Sequence, residues 1–521
     1  MATKARDALP WVLAALSGVA VFASFAPWEA ASLAFVALIP WIWALRLRPD
    51  AAARLSFLAG LCAWIPSLWF LTPVTHAGAL VLAVVCALYF VPVGLVWARV
   101  LREWTPMETN TSLLFVLAGA AWWCFWEWIR SWFLTGFPWN ALGVSQYANL
   151  TLIQCARWGG VGAVSFVLVA MNIGLGLGFM GLFHRPPGGH GRRAHPEVYL
   201  PILLLVFAFS WGARHIRRSA GADANTLRIA VVQPHAAVDE KWSPESLREN
   251  YRVLWELSDS ALRLKPDLLV WPETALPEEL RASEEAVAFV TSLAARGTPL
   301  LLGSLDYSLT DTPGYLYYNA SFLMLPDGSL GGQYWKRHLV MFGEYIPFGK
   351  WLPFLRSMTP VADDITPGTE PGLFPVPSLG MTLGILICFE DLMPHLSRDL
   401  VAGGARLLVN QTNDAWFDPY WGSQGHLANA VFRCVEQNRP MVRAANSGVS
   451  CWIDGKGAIR DTFRDPLHNH VRVRGTKPFL VEVPRDPGHT PYHKAPWAFP
   501  MLCAALSLLL WPIGRDPRSR G

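Results

Sequence analysis

The chain has 521 residues, of which 52% are hydrophobic and only 16% are charged, and it contains 26 tryptophans. Soluble domains carry about 25% charged residues, so we expect much of the chain to lie outside water. The net charge of +4 is small and the basic residues form short clusters. That pattern argues against nucleic-acid binding and is typical of residues that set membrane orientation.

Eight apolar stretches lie towards the two ends of the chain. Their approximate ranges are 10–28, 31–45, 55–75, 78–98, 112–134, 155–183, 198–213 and 496–513. Most approach the ~20 residues that a helix needs to cross ~30 Å of hydrocarbon, although the second and seventh are short. The first lacks a clear cleavage site and is followed at once by others, so we expect a helix rather than a signal peptide. The pattern predicts a membrane α-helical bundle of eight transmembrane helices.

Basic residues occupy alternate short loops between these stretches. They are Lys4 and Arg6, then Arg46, Arg48 and Arg54, then Arg99 and Arg102, then Arg185, Arg192 and Arg193, and finally Arg515, Arg518 and Arg520. Under the positive-inside rule both termini are cytoplasmic. Arg214, Arg217 and Arg218 break the alternation, but they begin a long domain, and long translocated domains obey the rule poorly. The expected domains are seven transmembrane helices at 1–214, a periplasmic domain at 215–490, and the eighth helix with a cytoplasmic tail at 491–521.

Two charged residues lie near the end of the fifth apolar stretch. Glu127 and Arg130 stand three positions apart, a spacing that places side chains on one face of a helix. Charges at membrane depth are costly and are usually paired or functional. We interpret this pair as a structural clamp for the turn Gly136-Phe-Pro-Trp139 rather than as a site of chemistry.

The long polar segment resembles an α/β domain in pattern, because short runs rich in Val, Ile and Leu alternate with helical periodicity. Strands are predicted at Leu227–Val232, Asp267–Trp271, Leu300–Gly303, Ala320–Leu325, Leu383–Ile387, Arg406–Asn410, Met441–Ala445 and Phe479–Val483. The turn at Pro326-Asp327-Gly328 predicts a hairpin into a further strand at Tyr334–Leu339. Helices are predicted at 244–264, 283–296, 392–403 and 424–437.

The eight cysteines are too few and too scattered for a disulfide framework. No CxxC and no Cys/His pair has the spacing of a zinc site, so the sequence predicts no metal. Only Cys388, Cys434 and Cys451 lie in the polar segment. Because that number is odd, at least one of them should remain a free thiol unless it pairs between chains.

Three polar residues stand where predicted strands should end: Glu273, Lys336 and Cys388. Sites in open α/β sheets assemble at strand ends. Singly each signal is weak, since a Cys that closes an apolar strand is more often a packing residue. Together they supply a thiolate nucleophile, a carboxylate to take its proton and an ammonium to stabilise an oxyanion. The combination therefore predicts acylation of Cys388.

These three segments resemble the Glu-Lys-Cys triad of the nitrilase superfamily over about residues 227–485. Within that superfamily, nearly the whole chain resembles the apolipoprotein N-acyltransferase family. The motifs that carry this resemblance are Trp271-Pro-Glu-Thr-Ala275, Lys336-Arg-His-Leu-Val-Met-Phe-Gly-Glu-Tyr-Ile-Pro347, Cys388-Phe-Glu390, Asn413-Asp-Ala-Trp-Phe417, Arg443-Ala-Ala-Asn-Ser-Gly448, Glu127, Arg130 and Gly136-Phe-Pro-Trp139. The resemblance implies a nitrilase-like α-β-β-α sandwich for the periplasmic α/β domain.

The resemblance also implies roles for individual residues. Glu273 would be the general base, Lys336 the transition-state stabiliser and Cys388 the nucleophile. Glu344 would hold Lys336 or assist proton transfer, with a solvated loop carboxylate as the alternative. Glu390 would position the site. Phe389 and Met341 stand where the family commonly has Tyr and Pro, and neither departure removes a catalytic group, because the residue after the nucleophile contributes mainly its backbone N–H.

Four aromatic residues are candidate substrate-binding groups. Trp242 resembles a family tryptophan at the entrance of the domain, and a packing tryptophan is the alternative. Trp351, Phe354 and Trp416 belong to runs near 351–358 and 416–421 that are too apolar for ordinary exposed loops. Such patches mark membrane or partner contact, and a lid packed on its own domain is the alternative.

The function implied by the resemblance is transfer of a fatty acyl chain at the bacterial inner membrane. The donor would be a phospholipid, commonly phosphatidylethanolamine, and the acceptor the N-terminal amino group of a diacylglyceryl-modified cysteine on a lipoprotein. No cofactor is needed for a thioester route. A membrane-tethered amidase and a transporter or scaffold with an inactive appended domain are the rival interpretations.

Overall fold

The computed structural model describes residues 2–104, 109–182, 195–218, 223–236, 244–276, 278–309, 315–347, 349, 351, 356, 364–417, 420–467 and 469–511. The chain forms two compact units. The first comprises Met1–Trp69, Gly78–Ala220 and Thr490–Gly521, and the second comprises Phe70–Ala77 and Gly221–His489.

The first unit is helical in its described part. Its helices are α1 (Ala2–Ala23), α2 (Ile39–Leu47), α3 (Ala52–Ser67), α4 (His76–Leu88), α5 (Phe90–Glu103), α6 (Thr109–Arg130), α7 (Leu150–Ile153), α8 (Ala156–Leu182), α9 (Pro196–Arg218), α14 (Pro491–Lys494) and α15 (Ala498–Ser507). The apolar side chains Leu203, Val206 and Phe207 of α9 are exposed. An exposed apolar stripe of this kind suits a lipid environment better than water.

Four described helical segments are long and apolar enough to cross a membrane: His76–Glu103, Thr109–Arg130, Ala156–Leu182 and Pro196–Arg218. A fifth span arises if Ala31–Leu47 and Pro49–Ser67, which meet at a bend of 112°, are counted as one. The first and last apolar stretches form the shorter helices Asp7–Ala23 and Ala498–Leu510. A membrane domain is thus supported, whereas the number of eight crossings stays a prediction.

The pair at the end of α6 binds the turn that follows it. Arg130 Nη1 donates to the carbonyl oxygens of Phe137 at 2.7 Å and Trp139 at 2.6 Å. Glu127 Oε1 accepts from the backbone N–H of Leu142 at 2.8 Å. The turn itself requires glycine, because Gly136 has φ +86° and an added Cβ would lie 2.2 Å from a backbone oxygen. These contacts agree with a structural clamp.

The second unit alternates strands and helices. Its elements are β1 (Ala224–Gln233), α10 (Pro244–Leu262), β2 (Leu268–Val270), α11 (Glu284–Ala294), β3 (Leu300–Leu309), β4 (Tyr315–Met324), β5 (Leu330–Trp335), β6 (Leu373–Val376), β7 (Met381–Ile387), α12 (Pro394–Ala402), β8 (Ala405–Thr412), α13 (Trp421–Gln437), β9 (Met441–Ala445), β10 (Cys451–Ile453), β11 (Ile459–Thr462) and β12 (Gly475–Pro484).

These strands form two six-stranded sheets, in the orders β12-β1-β2-β3-β4-β5 and β11-β10-β9-β8-β7-β6. The pairs β1–β2, β2–β3, β7–β8 and β8–β9 are parallel, and the outer pairs are antiparallel. Parallel strands buried on both faces read as continuous apolar runs, which is why β7 carries only one polar residue, Thr382.

One apolar core lies between the two sheets. It joins Ile229 and Val270 of the first sheet to Ile385 and Val409 of the second. A second core packs the other face of the first sheet against α10 and α11, and α12 packs on β7 and β8. Burial of each such side chain contributes about 1.5–3 kcal/mol. The predicted α-β-β-α sandwich is confirmed for the second unit.

The hairpin strand was placed wrongly by the sequence pattern. Tyr334–Leu339 was expected, whereas β5 spans Leu330–Trp335 and ends immediately before Lys336. The shift puts two glycines, Gly331 and Gly332, inside the strand, where they supply no side-chain periodicity. Three further strands, β6, β10 and β11, had not been predicted.

Candidate active site

Three strands of the second unit deliver the candidate catalytic residues at their carboxyl ends. Glu273 lies three residues beyond β2, Lys336 follows β5 directly and Cys388 follows β7 directly. Gly303 on β3 makes room for the first of them, because an added Cβ would lie 2.8 Å from the Glu273 Cα. The strand ends of both sheets therefore contribute to one site.

Glu273, Lys336 and Glu344 form a buried cluster around Asn319 of β4. Lys336 Nζ lies 3.4 Å from Glu273 Oε1 and 2.9 Å from the Glu344 carboxylate. Asn319 Nδ2 donates to Glu273 Oε1 at 2.7 Å and to Glu344 Oε1 at 3.0 Å. The backbone N–H of Asn413 donates to Glu273 Oε2 at 2.9 Å. The orientation of the Glu273 carboxylate is thus set from both of its oxygens.

The Lys336 ammonium is held in its charged form by its neighbours. Its side chain is 1% exposed, and burial alone lowers a lysine pKa. Burial is outweighed here by Glu344 and Glu273, so the pKa of Lys336 is raised above its ordinary value. The ammonium therefore persists in a site where an unpaired lysine would lose its proton. Glu344 is the nearer carboxylate and is itself held by the backbone N–H of Val340 at 2.8 Å.

Cys388 begins a tight turn at the end of β7. Its φ of +53° lies in the left-handed region that residues with a side chain rarely adopt, and its carbonyl oxygen accepts from Asn410 Nδ2 at 3.0 Å. Burial and the charge of Glu273 raise the pKa of the Cys388 thiol well above its usual range, while Lys336 and a hydrogen bond with Thr412 act in the opposite direction. At neutral pH the group is a thiol, and a base must remove its proton when it reacts.

Glu390 joins the segment after β5 to the segment after β7. Its carboxylate accepts from the backbone N–H groups of Arg337 at 2.7 Å, His338 at 3.0 Å and Ile387 at 2.8 Å, and from the Tyr334 hydroxyl at 2.8 Å. Burial raises the pKa of Glu390, and the backbone donors oppose that rise. The residue fixes the two chain segments that carry Lys336 and Cys388.

A second buried charge cluster lies beneath the nucleophile turn. His426 on α13 contacts Asp414 through Nδ1 at 2.9 Å and Asp391 through Nε2 at 2.8 Å. Arg443 on β9 forms a short ion pair with Asp391. The Thr412 hydroxyl donates to Asp414 Oδ1 at 3.0 Å. Asp414 and Arg443 belong to two of the sequence motifs described above, but neither residue was assigned a role from the sequence.

The structure describes two of the four predicted substrate-binding residues, Trp351 and Trp416. Trp351 is 84% exposed and Trp416 is 42% exposed, so both present aromatic surface to their surroundings. Phe389 is half-buried beside the nucleophile. Trp242 and Phe354 lie outside the described residues.

Sequence reasoning missed two residues that organise the site. Asn319 gives a usable signal, because it is a polar residue that directly precedes the mostly apolar end of β4, and the structure buries it to 5% exposure. His426 gives none, since a single histidine on an amphipathic helix is ordinary. Within the described part of the chain, no group of three or more His, Cys, Asp or Glu side chains is placed to share a metal ion.

The arrangement can perform acyl transfer to and from sulfur. Glu273 and Lys336 lie 3.4 Å apart, and the charges of both act on the Cys388 thiol, Glu273 raising its pKa and Lys336 lowering it. Charge aimed at a developing oxyanion in a water-poor site is worth more than the same charge in water. A thiol, a carboxylate and an ammonium together are the groups that covalent thiol chemistry requires.

Known proteins resemble this chain both in sequence and in domain content. Residues 17–174 match the family model of the apolipoprotein N-acyltransferase N-terminal domain, and residues 228–463 match that of carbon-nitrogen hydrolases. A Geobacter metallireducens protein named apolipoprotein N-acyltransferase is 33% identical to this chain, and the aligned region spans 96% of this chain and 94% of the Geobacter protein. An Azotobacter vinelandii protein of the same name is also 33% identical, over 85% of this chain and 81% of its own. A solved amidase of the nitrilase superfamily from Nesterenkonia matches 53% of this chain and 96% of its own, with 17% identity and a TM-score of 0.38.

Proposed function

This chain belongs to the apolipoprotein N-acyltransferase family, and from that premise we propose that it transfers a fatty acyl chain from a phospholipid to a lipoprotein. The acceptor is the α-amino group of an N-terminal diacylglyceryl-cysteine, and the step completes lipoprotein maturation. Phosphatidylethanolamine is the proposed donor. The family is one of enzymes, and its members' name places the activity in acyl transfer.

The observation that carries the proposal is the placement of Glu273, Lys336 and Cys388 at one site in a chain that matches the family along nearly its whole length. Lys336 Nζ lies 3.4 Å from Glu273 Oε1, and both charges act on the Cys388 thiol. A scaffold with an inactive appended domain has no use for a buried, fully paired lysine beside a cysteine, because buried charges are costly to keep.

In the first half-reaction Glu273 takes the Cys388 proton and the sulfur attacks the ester carbonyl carbon of the phospholipid. The carbonyl oxygen becomes an oxyanion that the Lys336 ammonium stabilises. The C–O bond then breaks, the departing glycerol oxygen recovers the proton from Glu273, and a lysophospholipid leaves. The acyl chain remains as a thioester on Cys388.

In the second half-reaction the lipoprotein amine attacks the thioester carbon. Glu273 accepts a proton from the attacking nitrogen, and Lys336 stabilises the second oxyanion. The C–S bond breaks to give an amide, and Cys388 regains its proton. Because the two substrates use one site in turn, the proposed kinetics are ping-pong.

The proposed setting is the bacterial inner membrane, with eight crossings at 1–214 and 491–521 and the catalytic domain at 215–490 in the periplasm. Trp351, Phe354, Trp416 and Trp242 are proposed to meet lipid or acceptor at the mouth of the site. The exposure of Trp351 supports that placement. Both proposed substrates are anchored in the membrane. A site at the same surface reaches both of them by diffusion within the plane of the membrane, which suits acyl transfer from one lipid to another.

The experiment that tests this function uses purified full-length protein, labelled phosphatidylethanolamine and a synthetic diacylated lipopeptide, with products identified by mass spectrometry. The expected products are a triacylated lipopeptide and lysophospholipid in equal amounts. The rival amidase activity would release ammonia from a soluble amide and leave both lipids unchanged. That outcome, with Cys388 intact and folded protein, would overturn the proposal.

A further inference from the structure

Behind Cys388 lies a buried group of four ionisable side chains that take no part in the proposed bond-making steps. Asp391 belongs to the turn that Cys388 begins, Asp414 follows β8, His426 lies on α13 and Arg443 lies on β9. Each is at most 2% exposed. Buried charges are tolerated when they compensate one another, so the charge state of this group as a whole matters.

His426 stands between the two carboxylates. Its Nδ1 lies 2.9 Å from Asp414 Oδ1 and its Nε2 lies 2.8 Å from Asp391 Oδ1. An imidazole donates hydrogen bonds from both nitrogens only when it is protonated. Burial and Arg443 lower the pKa of His426. Asp391 and Asp414 raise it by more than that, so the pKa of His426 is about 9. At neutral pH this residue is therefore an imidazolium.

The group is connected to the nucleophile by short contacts. His426 Nε2 lies 3.3 Å from the carbonyl oxygen of Cys388. Thr412 donates to Asp414 Oδ1 at 3.0 Å and also hydrogen-bonds the Cys388 side chain. The charge of Asp414 raises the pKa of the Cys388 thiol. A change in the net charge of this group should therefore change the pKa of the Cys388 thiol.

The charges balance only with His426 protonated. Asp391 and Asp414 then supply two negative charges, and His426 and Arg443 supply two positive ones. With a neutral residue in place of His426, the group carries one net negative charge. A negative charge near a thiol disfavours the thiolate.

We propose that His426 is a positioning residue whose positive charge, together with that of Arg443, neutralises Asp391 and Asp414 behind Cys388, so that the nucleophile faces a buried group without net charge. The inference rests on the proposed function for the identity of the nucleophile and deepens it by naming what keeps that nucleophile able to ionise. The charged groups that face His426 are Asp391 of the nucleophile turn, Asp414 of the segment after β8, and Arg443 of β9.

The test measures the rate at which iodoacetamide alkylates Cys388 at neutral pH in the full-length protein, by peptide mass spectrometry. At that pH His426 is an imidazolium and Cys388 is a thiol, so the rate reports the small thiolate fraction. His426→Gln should lower this rate about tenfold or more, because a net negative charge is left beside the thiol. The double variant His426→Gln with Asp414→Asn removes one charge of each sign and should return the rate to that of the unsubstituted protein.

His395→Gln on α12 is the matched control. Desolvation and Arg337 lower the pKa of His395, and Asp399 opposes them only in part, so the substitution removes an imidazole that is neutral at pH 7 and should leave the alkylation rate unchanged. A His426→Gln rate equal to that of the unsubstituted protein would overturn the proposal. So would a double variant that stays as slow as the single one.

A second variant covers the case in which His426→Gln does not fold. Asp414→Asn removes one negative charge from the group and should raise the alkylation rate at neutral pH, and an unchanged or lower rate would count against the proposal. Incubation of the unsubstituted protein with phospholipid separates the two ideas. Failure to acylate Cys388 there would remove the proposed function, while the alkylation rates still decide the role of His426.

Discussion

Lys336 is the residue on which the proposed chemistry depends most. Its ammonium is buried against two carboxylates, at 3.4 Å from Glu273 and 2.9 Å from Glu344. Two negative charges therefore face one positive charge at this point. In the proposed mechanism Glu273 accepts and returns a proton, while Lys336 keeps its own.

Lys336→Ala should slow both half-reactions by about 10²–10³-fold, since each passes through an oxyanion that loses its stabiliser. Single-turnover measurements of lysophospholipid release and of lipopeptide acylation test the two steps separately. Lys477→Ala is the control, because Lys477 forms a half-exposed pair with Asp461 at 2.6 Å. A loss confined to one half-reaction would contradict the assigned role.

At the residue scale, the sequence was most informative where a motif and a strand end coincide. Glu273, Lys336 and Cys388 were predicted as one site, and the structure brings Glu273 and Lys336 into direct contact. Asn319 and His426 were not predicted, because each acts through tertiary neighbours that come from distant positions in the chain. Asn319 bridges Glu273 and Glu344. Its polarity within β4 marks it as unusual, but the local sequence does not identify these two partners.

At the scale of elements, Glu390 connects β5 to β7 through four hydrogen bonds. Glu390→Gln replaces one acceptor oxygen with a donor that faces backbone N–H groups. The substitution should lower the free energy of unfolding by about 1–3 kcal/mol, the usual penalty for buried donors left unpaired. Thioester formation should slow together with the loss of thermal stability, because the segments carrying Lys336 and Cys388 shift relative to each other.

Tyr334→Phe is the matched control for that substitution. It removes one hydrogen bond, and the three backbone donors to Glu390 remain. The expected loss of stability is about 1 kcal/mol, with little change in rate. Equal effects of the two variants on thermal unfolding and on acyl-enzyme formation would show that Glu390 is an ordinary packing residue.

Strands were predicted well where they contain a clear apolar run, and poorly where they are very short or contain proline. β7 ends in the apolar run Ile385–Ile387, and β9, apolar except for Arg443, was predicted with its observed limits, Met441–Ala445. β6 contains Pro375 and pairs only with β7, a position at which proline is tolerated but which weakens a strand signal. β10 and β11 are three and four residues long, too short for a period-2 pattern to emerge.

At the scale of the whole molecule, the proposed topology follows from the distribution of arginine among the loops. A reporter fused after Gly189 should behave as cytoplasmic, and one inserted near Asp311 should behave as periplasmic. Paired alkaline phosphatase and green fluorescent protein fusions measure this directly. If both positions report the same compartment, the arrangement of eight crossings fails.

The stability of the protein should depend on pH through the buried charge group. Asp391 and Asp414 raise the pKa of His426 from its ordinary 6.5 to about 9, against the opposing effect of burial. A pKa raised on folding contributes stability that is fully present below the unfolded value and is lost as the pH rises through the folded value. The difference in thermal stability between the unsubstituted protein and His426→Gln should therefore narrow between about pH 6.5 and pH 9. Thermal unfolding at several pH values tests this, and a constant difference would show that His426 is neutral in the folded state.

Intact-mass measurement of the enzyme after incubation with phospholipid alone tests the central claim most directly. With no amine present, the acyl chain should stay on Cys388 as a thioester, adding the mass of one chain that hydroxylamine removes. Cys388→Ala should abolish the adduct, and Cys388→Ser should nearly abolish it, because a hydroxyl is far less acidic than the thiol that Glu273 and Lys336 serve. The account predicts this adduct together with parallel double-reciprocal lines for phospholipid and lipopeptide. Intersecting lines with no trappable acyl-enzyme would mean direct transfer in a ternary complex, and the roles given to Glu273, Lys336 and Cys388 would be wrong.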